Sequence, residues 1–185
     1  LTSLPPALGR LVMLRTLMAD SNRLRGLPRE IGDLRRLATL TLNENRLERL
    51  PETVSRLTRL TSFTADENRL VELPVFGPSL RVLSADENRL STLPSELPAT
   101  LETLSVDGNA IRAVGDASLR GLGRLKTLNV RRNGLEALPE SVGGLATLET
   151  LSLETNRLAS LPESIGALAS LREWHLLEND LVALP

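Results

Sequence analysis

Leucine recurs through this chain in one fixed frame, and that recurrence constrains the fold more than any other feature. The units run from 20 to 24 residues, and one of them reads LATLTLNENRLERLPETVSRLTR over residues 37–59. A unit of this size cannot bury its apolar face alone, so neighbouring units must stack on one another. The sequence therefore predicts a solenoid. The leading leucines of the units are Leu14, Leu37, Leu60, Leu80, Leu101, Leu125, Leu148 and Leu171.

Each unit opens with the pattern LxxLxL, in which the leading leucine is numbered position 1. Alternation of outward and apolar residues over positions 3 to 6 is typical of a β-strand with one buried face. Successive strands then form one parallel sheet, with neighbours about 4.8 Å apart. Parallel strands need a crossover connection, and the second half of each unit supplies it.

The full pattern, LxxLxLxxNxLxxLPxxLxxLxx, resembles that of the leucine-rich-repeat family along the whole chain. The Leu-Pro pair at positions 14 and 15 is similar to two intracellular subclasses, the shorter bacterial LPX type and the longer Ras-group type. The resemblance implies an α/β solenoid, a leucine-rich-repeat horseshoe with a parallel concave sheet. It also implies about eight short strands, one per repeat, and short helical or extended segments on the convex side.

The repeat pattern predicts a single solenoid domain over residues 1–185. Residues 1–13 match the back part of a unit, complete units begin at Leu14, Leu37, Leu60, Leu80, Leu101, Leu125 and Leu148, and residues 171–185 match the front part of another. Neither end carries the polar cap that a solenoid end requires. We therefore expect the chain to be a segment of a longer protein.

The later positions of the unit predict its turns. Position 9 is asparagine in every unit, and in the family this side chain turns inward and bonds neighbouring backbone where the chain leaves the strand. The proline at position 15 fixes φ and ends the extended part. Segments such as PETVSRL then predict short helices, whereas VFGPS and SELPAT in the two shortest units predict extended chain. DASLRGLGR in the longest unit predicts the best convex helix.

The composition excludes several classes of function. The chain has no cysteine and one histidine, which rules out a disulfide framework, a cysteine nucleophile and a Cys-based zinc site, and we expect no metal or other cofactor. Three aromatic residues and a net charge of −1 argue against nucleic-acid binding. With no long apolar stretch and no visible signal peptide, we expect no membrane contact and a cytoplasmic location, or the host cytosol for an effector.

Outward residues at positions 3, 5, 7 and 8 are predicted to line the concave face. Positions 3 and 5 are mainly Thr and Ser, which predicts a hydroxyl-rich floor. Positions 7 and 8 carry acids and no base in the first five units. The candidate partner-binding residues on this face are Met18, Asp20, Glu44, Asp66, Glu67, Asp86, Glu87, Asp107, Arg131, Arg132, Glu154, His175 and Leu177.

The acids form a strip whose charges repel one another. Carboxylates on adjacent strands, such as Asp66 and Asp86, repel by roughly 1 kcal/mol per pair in water, and the sequence shows no gain to folding in return. In one interpretation, arginines at position 10 pair with the acids in a solvated ion ladder worth about 0–1 kcal/mol per pair. In the other, the acids dock a basic partner, and Arg131-Arg132 is a sign change that fixes its register. The position-10 arginines are Arg23, Arg46, Arg69, Arg89 and Arg157.

The extended surface of a solenoid and the family resemblance together predict a module that binds a partner protein on its concave face. The units of LPX length imply a bacterial effector-like protein. The alternatives are an intracellular Ras-group-like scaffold and a structural or oligomerisation segment with no specific ligand. The sequence leaves the oligomeric state open.

Catalysis is not expected within these residues, because an open face lacks the enclosing pocket that shifts the pKa values of carboxyl groups. A deep pocket with two convergent carboxylates would revive the enzyme interpretation. A catalytic domain elsewhere in a longer protein stays compatible with this prediction.

Overall fold

The computed structural model describes residues 1–185, and its central element is one open parallel sheet. Eight strands lie in chain order, each paired with the strand of the unit before and after it. Equivalent positions are in register, so that Leu40 lies between Leu17 and Phe63. The predicted α/β solenoid with one strand per repeat is confirmed. The strands are β1 (Thr16–Met18), β2 (Thr39–Thr41), β3 (Ser62–Thr64), β4 (Val82–Ser84), β5 (Thr103–Ser105), β6 (Thr127–Asn129), β7 (Thr150–Ser152) and β8 (Glu173–His175).

The convex side changes along the chain as the unit lengths predict. Where a Leu-Pro pair precedes a 3-10 helix, the proline is the N-cap, with φ between −66 and −75°. Proline suits this position because its φ is fixed near the required value. The two shortest units have only turns and bends there, and the longest unit carries the one α-helix, α1 (Asp116–Leu119). The 3-10 helices are Pro6–Arg10, Arg29–Asp33, Glu52–Arg56, Glu140–Gly144 and Glu163–Ala167.

A single hydrophobic core runs along the solenoid between the sheet and the convex segments. In the second unit the leucines at positions 1, 4, 6 and 11 (Leu37, Leu40, Leu42 and Leu47) are fully buried. Removing one such side chain costs about 2–5 kcal/mol, because the cavity left behind does not collapse. In the shortest unit, which has no convex helix, Phe76 instead packs on Phe63, with ring centroids 5.0 Å apart.

The position-9 asparagines hydrogen-bond each repeat to the one before it. Asn45 Nδ2 donates to the carbonyls of Ala19 at 2.9 Å, Leu42 at 3.1 Å and Asn43 at 3.1 Å, and its Oδ1 accepts the Leu24 N–H at 2.9 Å. The amide supplies a donor and an acceptor at one point, which neither a carboxylate nor a hydroxyl does as well. Replacing one should cost about 1–3 kcal/mol, since buried backbone groups lose their partner. The same inward contacts recur at Asn68, Asn88, Asn109, Asn133, Asn156 and Asn179.

None of the helices is long and apolar enough to cross a lipid bilayer.

Candidate functional site

The outward side chains of the eight strands build the concave face. In β2 to β7 the middle residue is buried, and the residues on either side of it are half-buried and face outward. Their hydroxyls cover the floor as predicted, from Thr39 and Thr41 to Thr150 and Ser152. The outer residues of β1 and β8 are more exposed, because each of these strands has only one neighbour.

Aspartates at position 7 accept hydrogen bonds from the following repeat. Asp66 Oδ1 accepts the Ser84 hydroxyl at 2.6 Å and the Asp86 N–H at 2.8 Å. Asp86 Oδ1 makes the same two contacts one repeat further on, at 2.7 Å to the Ser105 hydroxyl and 2.7 Å to the Asp107 N–H. Each carboxylate therefore ties a strand hydroxyl and a backbone donor of the next repeat to its own.

Asp20 completes this set, with Oδ2 accepting the Thr41 hydroxyl at 2.5 Å and Oδ1 accepting the Asn43 N–H at 2.7 Å. We call Asp20, Asp66 and Asp86 the aspartate row. These hydrogen bonds are a gain to folding that the sequence did not reveal. Hydrogen bonds to a charged group contribute about 1.5–3 kcal/mol each, which exceeds the repulsion of roughly 1 kcal/mol between neighbouring carboxylates in water.

The second repeat departs from this arrangement. Asn43 Oδ1 accepts the Asp66 N–H at 2.8 Å, as an aspartate would. The Thr64 hydroxyl of the next strand is shielded from solvent, yet it has no hydrogen-bond partner. An amide presents one oxygen where a carboxylate presents two, and Asp20 uses both of its oxygens for this pair of donors. Asp66 and Asp86 each take both donors on Oδ1, so the second repeat differs in that the Asn43 amide oxygen accepts only the backbone N–H.

Asp86 lies between two other carboxyl groups. Burial raises the pKa of Asp86 above its ordinary value of 3.8, while the hydrogen bonds from Ser105 and the Asp107 N–H oppose that rise. The charges of Asp66 and Asp107 raise the pKa further. Burial and the two neighbouring charges therefore make the ionised form of Asp86 less favourable than that of a free aspartate.

Position 8 has a left-handed backbone, which sequence reasoning missed. At this position the non-glycine residues have φ between 48 and 56°, a conformation that costs about 1–2 kcal/mol for a residue with a Cβ atom. Gly108 occupies the same position with φ 65° and is the one direct signal of the conformation in the sequence. The non-glycine residues are Ser21, Glu44, Glu67, Glu87, Arg132, Thr155 and Glu178.

Three of these residues, Glu44, Glu67 and Glu87, form what we call the glutamate row. All three are exposed, and none of their carboxylates accepts a backbone N–H from a neighbouring repeat. Glu44 accepts the Ser21 hydroxyl at 2.9 Å. Glu67 makes no side-chain hydrogen bond and no ion pair, so its charge is wholly available to a partner.

Arg132 clamps two earlier repeats together. Its Nε and Nη2 each lie 2.8 Å from an oxygen of Asp107, and Nη2 lies 2.5 Å from Glu87 Oε1. The bidentate contact with Asp107 raises the pKa of the Arg132 guanidinium. Asp107 is only 9% exposed and is neutralised by this contact. Arg131 is exposed and forms no ion pair, so the sign change predicted for Arg131-Arg132 is left to Arg131 alone.

The arginines at position 10 do not form the predicted ion ladder. All five are exposed, and none lies within salt-bridge distance of a carboxylate. The ion pairs use other residues, such as Arg49 with Glu72 at 2.6 Å and Arg172 with Glu149 at 3.2 Å. The ladder interpretation is therefore wrong, and the acids of the aspartate row are held by hydrogen bonds to the next repeat instead. The unpaired arginines are Arg23, Arg46, Arg69, Arg89 and Arg157.

The remaining candidate residues lie toward the ends of the face. Met18 is 69% exposed and Leu177 is 75% exposed, so both offer apolar contacts. His175 Nδ1 lies 3.4 Å from Glu154 Oε1, a contact that is an ion pair only when the imidazole is protonated. The second oxygen of Glu154 is shielded from solvent and has no partner. These residues do not join the aspartate and glutamate rows in one continuous charged strip.

The surface grooves are open to solvent. One of about 420 Å³ is lined by Glu52 and Glu72, but both side chains are exposed and Glu72 is bound to Arg49. No group of three or more histidine, aspartate or glutamate residues is placed to hold a metal ion. What the described surface presents is an open face with charged and hydroxyl groups.

Two family models match this chain. A leucine-rich repeat region matches residues 5–84, and a leucine rich repeat model matches residues 99–158, so that together they span well over half of the chain. The chain belongs to the leucine-rich-repeat family. Domains of this family generally mediate protein–protein interaction and typically serve as non-catalytic scaffolds. No curated protein sequence matches the chain significantly.

Solved structures of the same family resemble this one. A leucine-rich-repeat protein of Leptospira interrogans is 34% identical with a TM-score of 0.90, over 97% of this chain and 47% of that one. YopM from Yersinia enterocolitica is 31% identical with a TM-score of 0.64, over 93% of this chain and 40% of YopM. The likeness to YopM supports the predicted resemblance to bacterial effector-like members.

A plant protein is also similar. The leucine-rich-repeat ectodomain of the membrane receptor kinase GASSHO1/SCHENGEN3 from Arabidopsis thaliana was solved in complex with CASPARIAN STRIP INTEGRITY FACTOR 2. It is 26% identical with a TM-score of 0.73, over 97% of this chain and 26% of that one. This chain spans less than half the length of each of the three proteins.

Proposed function

We propose that this protein binds a partner protein on its concave face and that basic groups of the partner meet the glutamate row. The observation that carries the proposal is the exposure of Glu44 and Glu67, whose carboxylates accept no backbone hydrogen bond between repeats and form no ion pair, whereas Glu87 is exposed but paired with Arg132. The aspartate row behind them adds negative potential while it holds the repeats together. Charge complementarity of this kind contributes mainly to the rate and specificity of association.

Two other groups on the concave face determine where along it a basic partner can bind. Arg131 is an exposed cation one repeat beyond Asp107, and it repels basic groups that pass the end of the acidic strip. Met18 at the other end offers an exposed apolar side chain. A partner whose basic residues match the strip therefore docks in one register and one direction.

The proposed setting is a bacterial effector-like protein that acts in the cytoplasm or in the cytosol of a host cell. The similarity to YopM supports this setting, and the plant receptor in complex with its factor supports binding of a protein ligand by this fold. A Ras-group-like scaffold is the alternative that the longer repeats favour. A structural or oligomerisation segment is the alternative that needs no charged row.

The test is a charge reversal on the concave face with a matched control on the convex side. Glu44→Lys with Glu67→Lys changes the charge of the glutamate row, and Glu52→Lys with Glu163→Lys makes the same change in two exposed residues of the 3-10 helices. Circular dichroism and thermal melting first establish that both variants fold. Capture from cell lysate is then compared at about 50 and about 300 mM salt, because screening weakens surface charge contacts.

Supporting results are capture by the wild type and the control, weakening with salt, and loss in the concave variant. A photo-crosslinking residue in place of Met18 should trap the same partner, whereas one in place of Arg56, in a 3-10 helix of the convex side, should not. Unchanged capture by the concave variant would overturn the proposal. Sedimentation at rising protein concentration tests the oligomerisation alternative separately.

A further inference from the structure

Four position-10 arginines in consecutive repeats form a second charged row, which we call the arginine row. Their backbones are tied from repeat to repeat, because each position-10 N–H donates to the position-11 carbonyl of the repeat before it at 2.8–2.9 Å. In-register repeats place equivalent residues about 4.8 Å apart, so the guanidinium groups start from evenly spaced points. The members of the row are Arg23, Arg46, Arg69 and Arg89.

The fold makes no use of these four charges. None of the side chains donates a hydrogen bond, and none lies within salt-bridge distance of an acid, although each is exposed. Arg35 donates to the Arg56 carbonyl at 2.9 Å and Arg132 binds Asp107, whereas most other exposed arginines also lack a partner; what distinguishes the four is their even spacing in consecutive repeats. The aspartate row had no evident role in the sequence and gained one from the structure, whereas the arginine row gains none.

The nearby acids do not neutralise the row. Glu44 is turned to the Ser21 hydroxyl, and Glu87 is bound to Arg132 at 2.5 Å. Glu67 is free, yet it pairs with no arginine. A negative strip and a positive strip therefore run side by side along the first four repeats, and the positive one lacks internal partners.

The row has a definite length. Ala110 and Gly134 occupy position 10 in the next two repeats and end the run after Arg89. Four arginines at the strand spacing cover about 14 Å, and an extended polypeptide covers that distance with about four to five residues. Guanidinium groups bind carboxylates in a bidentate fork, which suits an extended chain that carries several acids.

We propose that the arginine row binds an acidic, extended segment of a partner protein. Such a segment supplies carboxylates at the density that the row requires. A nucleic acid fits less well, because both phenylalanines are buried and offer no stacking platform, and the acidic rows alongside repel a phosphate backbone. This proposal does not depend on the glutamate row, which takes bases rather than acids.

The test uses a fluorescent hexaglutamate peptide, with a hexalysine peptide and a neutral glycine-serine peptide as controls. Fluorescence anisotropy measures binding to the wild type and to the triple variant Arg46→Gln, Arg69→Gln and Arg89→Gln. The matched control is Arg36→Gln, Arg59→Gln and Arg124→Gln, which removes the same charge from exposed arginines in the turns that precede the strands. We expect hexaglutamate binding to weaken by about 10-fold or more in the row variant and by less than about 2-fold in the control.

A further variant is expected to strengthen the binding of hexaglutamate instead of weakening it. Glu44→Gln with Glu67→Gln removes neighbouring negative charge, so hexaglutamate should bind several-fold more tightly while hexalysine binds more weakly. Failure of the wild type to bind hexaglutamate at millimolar concentration would overturn the proposal, as would equal weakening in both triple variants. Tighter binding of oligothymidine than of hexaglutamate would assign the row to nucleic acid instead. The hexaglutamate results test the arginine row alone, whereas the hexalysine result tests the binding of basic groups by Glu44 and Glu67.

Discussion

The aspartate row and the glutamate row are neighbours in the chain and carry the same charge, yet they have different roles. Asp66 accepts a hydroxyl and a backbone N–H from the next repeat, whereas Glu67 accepts nothing and is exposed. Two adjacent acids of equal charge are therefore structural in one case and free in the other. The comparison shows that a strip of charge in a repeat sequence is not by itself evidence of a binding surface.

Side-chain length and backbone conformation cause this difference. The short aspartate side chain at position 7 brings an oxygen to the N–H of the next repeat. Glu154 occupies the same position with one more methylene, and there one oxygen contacts His175 while the other has no partner. Position 8 lies in the left-handed turn that follows, where the glutamate side chains are exposed.

The largest expected effect separates the two rows by stability. Asp66→Ala should lower the free energy of unfolding by about 2–3 kcal/mol, because the Asp86 N–H and the Ser84 hydroxyl lose their acceptor. Glu67→Ala should change it by no more than about 0.5 kcal/mol, as expected for an exposed residue without contacts. Urea unfolding followed by circular dichroism measures both. Equal losses in the two variants would break the comparison.

Placing an aspartate at position 7 of the second repeat, where the aspartate row is interrupted by Asn43, should stabilise the protein. Asn43→Asp supplies a second oxygen for the unpaired Thr64 hydroxyl while it keeps the contact to the Asp66 N–H. We expect a gain of about 1 kcal/mol in the free energy of unfolding, reduced by repulsion from Asp20 and Asp66. The same substitution combined with Thr64→Val should lose the gain. A gain that survives Thr64→Val would contradict the assigned contact.

Relieving the strain of the left-handed backbone at position 8 should have a smaller effect on the free energy of unfolding. Glu67→Gly removes the Cβ atom at φ 54°, and the relief exceeds the entropic cost of glycine, so a gain of about 0.5 kcal/mol is expected. Glu52→Gly, in a 3-10 helix, is the control and should destabilise by a similar amount. Thermal unfolding resolves the opposite signs. Destabilisation by Glu67→Gly would mean that its side chain contributes more than the exposed surface indicates.

The smallest effect is a change in pH dependence. The pKa of Asp86 is raised in the folded protein, so the folded state holds the proton more tightly than the unfolded chain. The free energy of unfolding of the wild type therefore gains a contribution as pH falls through the raised pKa toward the ordinary value of 3.8, and loses it as pH rises again. Asn at position 86 does not titrate. The free energy of unfolding of the wild type should therefore rise relative to that of Asp86→Asn as the pH is lowered from about 7 to about 4.5. Urea unfolding at a series of pH values measures this, and a constant difference would contradict it.

Much of the fold followed from the repeat pattern. The eight strands, the inward leucines, the asparagine contacts, the extended convex segments of the two shortest units and the helix at Asp116–Leu119 were all predicted. Each of these depends on one residue type at one position, and repetition in register multiplies the evidence. Even Phe76, on the convex side of the shortest unit, is buried at 6% exposure, as a side chain that fills the core should be.

The surface was predicted less well. The outer residues of the strands were correctly expected to face outward, but Asp107 at position 7 is buried, and the role of each charge was not predicted. Pairing of the position-10 arginines was a wrong prediction, and the contact of Arg132 with Asp107 and Glu87 was missed because it links residues 25 and 45 positions apart along the chain. Charged side chains are long and flexible, so their partners are decided by distances between repeats that no single repeat contains.

The sequence by itself determined the architecture of this protein, since the spacing of leucine, asparagine and proline admits one way to bury the apolar face and satisfy the turns. Tertiary structure alone decided which acids are structural and which are free. Hydrogen bonds between repeats depend on sub-ångström placement of Asp66 against Ser84 and of Arg132 against Asp107. Such placement exists only once the repeats are stacked.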